Sequence, residues 1–364
     1  MSVLQKYFKE AMWWEKDDKG NIICRLCPRN CILSKDGQVG ACGIRVRYNG
    51  RLYLATYGLV SSMALDPIEK KPLFHFYPGS CAFSISNIGC NLFCIFCQNW
   101  HISQARVSPK RFSIPVPMEE ASPEELVKFA KANKCSSIAY TYNEPIVWYE
   151  YMLDTAKLAR KNGVFNVLVT NGYINPEPAE ELAKYLDAAN VDLKGDVRFY
   201  KKLAFAVKAP EAVMETIKLF VEKGVFVEVT YLVVPRWNDS EEVMKKIFGW
   251  IYDEFGGERV PLHISRFYPH YKMRNVPPTP IRTLNKAYEL AKEIGLKYVY
   301  IGNVPGHEGE HTYCPRCGRP VIKRRGFEII EWNLDEENRC KFCGYKINIR
   351  GKYKPERSWI HFWF

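Results

Sequence analysis

The sequence contains no run of apolar residues long enough to read as a membrane span, and its opening segment, MSVLQKYFKEAMWWEKDD, lacks the apolar stretch and small-residue cleavage site of a secretory leader. The stretch freest of charge, Pro72 to Ala105, holds no Asp, Glu, Lys or Arg. It carries instead Pro78, Gly79, Asn87, Asn91, Gln98 and Asn99, which a lipid-facing helix tolerates poorly. Internal repeats and low-complexity tracts are also lacking, which excludes solenoids and arrays. Acidic residues are the scarcer charge, 40 against 52 basic, for a formal net charge of +12 over 364 residues. These features describe a globular cytoplasmic chain of about two domains that binds no membrane. In that compartment cysteines are expected to ligate metals or act in catalysis rather than to pair as disulfides.

Cysteine is abundant, with 13 in the chain, and most of it is clustered. Cys24, Cys27, Cys31 and Cys42 are spaced C-x2-C-x3-C-x10-C. Cys90, Cys94 and Cys97 are spaced C-x3-C-x2-C. Cys314, Cys317, Cys340 and Cys343 form two Cys-x-x-Cys knuckles. This grouping reads as three metal sites. Cys81 and Cys135 stand outside it and are expected to be small buried hydrophobes, Cys135 on the first helix of the core.

Between the second and third clusters, Val-, Ile-, Tyr- and Phe-rich runs predict strands at Ala82-Ile88, Ser137-Tyr142, Phe165-Thr170, Ala189-Leu193, Val225-Val233, Val260-Ile264 and Tyr298-Ile301. Helical patterns alternate with them. One opens at Ser122 with Pro123 and Glu125 in a capping box, and others cover Ile146-Asn162, Glu177-Leu186, Pro210-Lys223, Ser240-Phe255 and Ile281-Ile294. Repeated strand-helix units imply a parallel sheet, too few for a closed eightfold barrel. The expected fold is an α/β partial (β/α)6 TIM-like barrel at residues 73–304, with a doubly wound sheet as the alternative. It is flanked by a cysteine-rich segment at 1–72, with a hairpin turn at Tyr48-Asn49-Gly50-Arg51, and by a C-terminal ribbon at 305–364.

Cys90 directly follows the first core strand, where catalytic groups gather in parallel barrels. Three thiolates on so short a loop can hold three corners of a cuboidal iron-sulfur cluster and leave one iron open. The alternative is a zinc knuckle completed by His101. The C-x3-C-x-Phe96-C pattern resembles the signature of the radical S-adenosylmethionine (SAM) superfamily. Cys24-Arg25-Leu26-Cys27-Pro28-Arg29-Asn30-Cys31, Asp66-Pro67-Ile68-Glu69-Lys70-Lys71-Pro72 and Cys97-Gln98-Asn99-Trp100 further resemble the radical SAM component of the AmmeMemoRadiSam system. That family is similar to the activating enzymes of glycyl-radical enzymes such as pyruvate formate-lyase.

The resemblance implies a [4Fe-4S] cluster on Cys90, Cys94 and Cys97. It also implies SAM at the open iron and a 5′-deoxyadenosyl radical that abstracts hydrogen from an unidentified protein or peptide. The reductant would be a carrier such as ferredoxin or flavodoxin. It places Asn143 and Glu144 near the SAM ammonium, although Glu144 also suits a helix N-terminus. Asn171 falls in a corresponding strand-end piece. Asp192 and Lys194 are assigned to the ribose or ammonium and to the carboxylate, unless they pair with each other. No catalytic residue is assigned beyond the cluster. His263 and Arg266 are candidates to face SAM or substrate, the alternative for His263 being a hydrogen-bonded core position.

The C-terminal four-cysteine set resembles a zinc ribbon or rubredoxin, with Zn2+ favoured. The N-terminal set is read as zinc or an auxiliary cluster, zinc again being favoured. Two other functions stay open: the same chemistry on RNA or a small metabolite, or a non-enzymatic metal-binding adaptor. Basic charge argues weakly for nucleic acid, because bound thiolates are deprotonated and the metal centres lower the effective charge to about +7.

Overall fold

A computed structural model describes residues 5–108 and 113–353. The aromatic-rich tail Trp359-Ile360-His361-Phe362-Trp363-Phe364 lies outside the described residues, as does part of the Pro-rich connection from Ser108 to Pro123.

The core is an eight-stranded sheet built from β1 (Ser62–Pro67), β2 (Cys81–Ser86), β3 (Ser137–Tyr140), β4 (Phe165–Thr170), β5 (Ala188–Asp192), β6 (Phe226–Val233), β7 (Leu262–Arg266) and β8 (Val299–Gly302). Strands β2 to β8 are parallel and lie side by side in chain order, with β1 added antiparallel beside β2. An order without reversal puts every right-handed crossover on the same face, and this distinguishes a curved, singly wound sheet from a doubly wound one. Six helical crossovers and a seventh parallel strand leave the barrel open at β1 and β8. The sequence anticipates the parallel strands but not β1, whose Ser-Met-Ala-Leu-Asp-Pro carries little strand signal.

The crossover helices are α1 (Pro123–Ala132), α2 (Tyr149–Lys161), α3 (Pro176–Ala183), α4 (Glu211–Glu222), α5 (Glu241–Phe255) and α6 (Ile281–Ile294). Helix α1 opens with the expected reciprocal cap, Ser122 Oγ accepting from Glu125 N and Glu125 Oε2 from Ser122 N. Each helix buries one apolar face, as Val213, Ile217, Phe220 and Val221 do in α4.

The N-terminal segment forms two small antiparallel sheets. In one, Arg45–Tyr48 and Arg51–Leu54 are joined at Asn49 and Gly50, both with positive φ, as a two-residue I′ turn requires. The C-terminal ribbon pairs Thr312–Tyr313, Pro320–Arg325 and Glu328–Trp332, and its Val321, Ile322 and Ile347 pack on Phe74, Tyr298 and Tyr300 of the barrel. Beneath the strands, Ile68, Leu73 and Phe76 plug the barrel against Ala82, Ala139, Val167, Ala188 and Phe226.

One expectation is overturned. Cys81 and Cys135 are joined by a disulfide, and Cys135 lies past the end of α1, in the turn leading to β3. Both side chains are buried as expected. Their pairing across 54 residues follows from β2 and β3 being neighbours in the sheet.

Candidate metal centre and cofactor cavity

The carboxyl ends of β2 to β5 surround a cavity of about 280 Å³. Cys90, Cys94 and Cys97 line it from the loop after β2. Asn143 and Glu144 line it from the end of β3, Asn171 from β4, and Asp192 and Lys194 from β5. The topology thus brings all eight of these sequence candidates to one place.

The cysteine loop is held by the segment that follows β5. Phe93 N donates to Ala204 O and Ile95 N to Leu203 O, both at 3.0 Å, and Phe96 packs edge-on to Phe199. Gly89 opens the loop at φ +83, and a Cβ there would meet Cys42 O at 2.4 Å, so only glycine fits. Gly89→Ala is therefore expected to lower the iron bound after reconstitution while leaving circular dichroism near that of the wild type.

The sulfurs already receive polar contacts. Leu92 N donates to Cys90 Sγ at 3.3 Å and Asn171 Nδ2 to the same sulfur at 3.7 Å, while Cys97 Sγ lies 3.3 Å from Ser103 Oγ. Such contacts orient metal ligands and tune a cluster's potential. Burial pushes the Cys94 thiol up to about 12, with the Lys194 charge opposing it, so binding a metal must release the proton. Among the described residues, no histidine lines the cavity. His101 is exposed and stands outside it, so the zinc-knuckle alternative loses its fourth ligand. Three thiolates beside a cavity with room for a further ligand fit a cuboidal cluster with one open iron.

The other candidates divide by what they touch. Glu144 is buried and accepts from Thr170 Oγ1 at 2.7 Å, Asn171 N at 2.8 Å and Ile146 N at 3.2 Å, so it caps a helical turn as well as lining the cavity. Burial pushes its carboxyl up to about 7 against the pull of these donors. Asn143 donates to Gly89 O at 2.9 Å and accepts from Trp148 Nε1 at 3.3 Å, which ties the cysteine loop to β3. Asp192 and Lys194 form a 2.5 Å ion pair. Burial alone would lower the Lys194 pKa, but Asp192 and Cys94 raise it, so the ammonium persists beside the cysteine loop.

His263 and Arg266 do not line the cavity. His263 Nε2 lies 2.6 Å from Glu228 Oε2, edge-on to Phe74, in the buried polar layer beneath the site. Arg266 donates to Thr279 O at 2.8 Å and to Tyr268 Oη at 3.1 Å.

Sequence reasoning gave no site role to Asp66, Lys70, Lys71 or Tyr142. Both lysines and Tyr142 line the cavity. Asp66 joins them, with Oδ2 accepting from Lys71 Nζ at 2.7 Å and Tyr142 Oη at 2.6 Å, and Oδ1 from Lys70 Nζ at 2.8 Å. The available signal was a carboxylate with two lysines four and five residues on, ahead of an uncharged span.

The C-terminal cysteines form a different kind of site. Their four sulfurs all lie within 4.8 Å of one another, the spread of a single tetrahedral ion. Among the described residues, no other group of three or more potential ligands is so tight.

The sequence matches the family described as the radical SAM superfamily over residues 84–247. An uncharacterised protein of Methanocaldococcus jannaschii is 52% identical over 342 residues, covering 94% of this chain and 99% of that protein. The pyruvate formate-lyase 1-activating enzyme of Escherichia coli K12 is 23% identical over 229 residues, 58% of this chain and 89% of that enzyme. A solved structure of a radical SAM methyltransferase from Sphaerobacter thermophilus aligns over 84% of this chain and 81% of its own, with a TM-score of 0.49 and 12% identity. No helix among the described residues is long and apolar enough to cross a membrane.

Proposed function

Because the chain belongs to the radical SAM superfamily, we propose that it is an activating-enzyme-like radical enzyme that abstracts hydrogen from a protein or peptide segment. The observation that carries the reading is the convergence of Cys90, Cys94 and Cys97 with Glu144, Asn171, Asp192 and Lys194 on one strand-end cavity. When bound, a [4Fe-4S] cluster supplies one electron that breaks the S–C5′ bond of SAM, giving methionine and a 5′-deoxyadenosyl radical.

The chain's own residues do the rest. The three thiolates hold the cluster, and the Asn171 amide and Ser103 hydroxyl orient two of them. Glu144 offers the charge that an ammonium prefers, and the Lys194 ammonium offers the counter-charge for a carboxylate. Lys70 and Lys71 present cations from a separate segment, ahead of β2, and favour an anionic group in the cavity. The stretch from Pro72 to Ala105 brings no Asp, Glu, Lys or Arg of its own to the loop, so the charges that face it come from the other strand ends and from Lys70 and Lys71. The likeness to an activating enzyme supports a macromolecular substrate. At the C-terminal set, the tight sulfurs favour one structural Zn2+ that staples the ribbon.

Two expected outcomes test these roles. Below its pKa of about 7, Glu144 loses its charge, so the dissociation constant for SAM should rise about 5- to 10-fold between pH 8 and pH 6. Equilibrium dialysis of the anaerobic reconstituted protein measures this, and an affinity flat over that range contradicts the assignment. Cys317→Ala, in the exposed ribbon, should lower bound zinc while leaving 5′-deoxyadenosine yield within about twofold, because the ribbon lies away from the cavity.

A further inference from the structure

The N-terminal cysteines share a feature with the radical loop that the C-terminal ribbon lacks. Cys24, Cys27, Cys31 and Cys42 surround a small enclosed cavity of about 20 Å³. Their sulfurs are not gathered within 4.8 Å, whereas those of the ribbon are. A tetrahedral four-thiolate zinc site, with Zn–S bonds of about 2.3 Å, leaves no space for a water-sized sphere between its sulfurs. In a cuboidal cluster each thiolate binds a different iron, so the sulfurs stand farther apart around a central volume.

Arg45 supplies a second, independent observation. Its side chain is 2% exposed and lines this cavity. Nη2 is held by Glu150 at 2.9 and 2.6 Å and Nε by Val147 O at 3.2 Å, but Nη1 has no hydrogen-bond partner among the described residues. A buried orphan donor beside four thiols requires an acceptor, and the sulfurs of an anionic cluster provide one. Ala41 N already donates to Cys31 Sγ at 3.4 Å.

The site also adjoins the radical loop. Cys42 O accepts from Cys90 N at 3.2 Å, so one ligand of each set is linked by a single backbone hydrogen bond. Arg29, which lines the N-terminal cavity, donates to Asn91 O within the loop and lies 4.6 Å over the Phe93 ring.

We propose that Cys24, Cys27, Cys31 and Cys42 hold a second [4Fe-4S] cluster that relays electrons to the cluster on Cys90, Cys94 and Cys97. The relay function rests on the radical-enzyme reading above. One electron from an external low-potential one-electron donor reduces the N-terminal cluster by one charge and then passes to the second cluster. No bond forms or breaks at the relay site.

Anaerobic reconstitution of the full chain with iron and sulfide, with zinc present, tests this. The wild type should carry about eight iron per chain outside the ribbon, and Cys90→Ala/Cys94→Ala/Cys97→Ala should retain about four. Reduced with dithionite, that triple variant should still show the half-spin EPR signal and Mössbauer parameters of a [4Fe-4S] cluster. Cys27→Ala should lose a matching four iron, and if it fails to fold, the triple variant alone decides. A triple variant with zinc in its place and no cluster signal overturns the proposal. Iron retained by the triple variant, with no SAM cleavage by a fully loaded wild type, supports the second cluster and contradicts the radical-enzyme reading instead.

Discussion

Cys94→Ala is expected to reduce 5′-deoxyadenosine formation to background, a loss beyond the ~10- to 100-fold that follows from altering a metal's outer-shell partners. Cys94 sits mid-loop, 9% exposed, where the Lys194 charge acts on its sulfur. Removing it leaves two thiolates, too few to hold a cuboidal cluster with one open iron. The loss should not reflect unfolding. The loop's backbone bonds to Leu203 and Ala204 do not involve the Cys94 side chain, and although Cys94 belongs to the main hydrophobic cluster, alanine removes only its sulfur from it. Iron content and product yield should fall together while the unfolding midpoint stays within a few degrees. A Cys94→Ala protein that still cleaves SAM would place the reactive metal at another site.

The second large effect concerns stability. Arg45 and Glu150 form a bidentate ion pair with both side chains 2% exposed, and Glu150 also accepts from Met12 N at 2.9 Å. This pair fixes the N-terminal cysteine segment to α2 of the barrel. Arg45→Met leaves the Glu150 carboxylate buried without its cation, which costs about 3–5 kcal/mol. The double variant Arg45→Met/Glu150→Leu removes both charges and should recover most of that loss, because a buried ion pair contributes little net stability over apolar groups of similar size. Denaturant unfolding of the single and double variants measures both. A single-variant loss under about 1 kcal/mol would show that water reaches the pair.

The barrel was legible because strand and helix periods alternate cleanly between residues 82 and 301, and Phe165–Thr170 and Ile281–Ile294 match their expected bounds. The radical loop was legible because its three cysteines lie within eight residues, so spacing alone constrains their geometry. What escaped depends on distance along the chain. The Asp66, Lys71 and Tyr142 cluster joins segments 76 residues apart, and β1 is a strand only because β2 offers it an edge. His263 looked available as a strand-end histidine. Its partner Glu228 comes from the neighbouring strand, and nothing local to either residue reveals the pair. Asp192 and Lys194 were correctly weighed as a possible pair, since neighbours two apart at a strand end can meet.

The central claim, that the strand-end cavity with Cys90, Cys94 and Cys97 performs reductive SAM cleavage, is tested most directly by one assay. Wild-type protein, reconstituted anaerobically to full cluster content and mixed with SAM and dithionite, should release 5′-deoxyadenosine and methionine in equal amounts by liquid chromatography. Fully loaded protein that binds SAM and releases neither would contradict it.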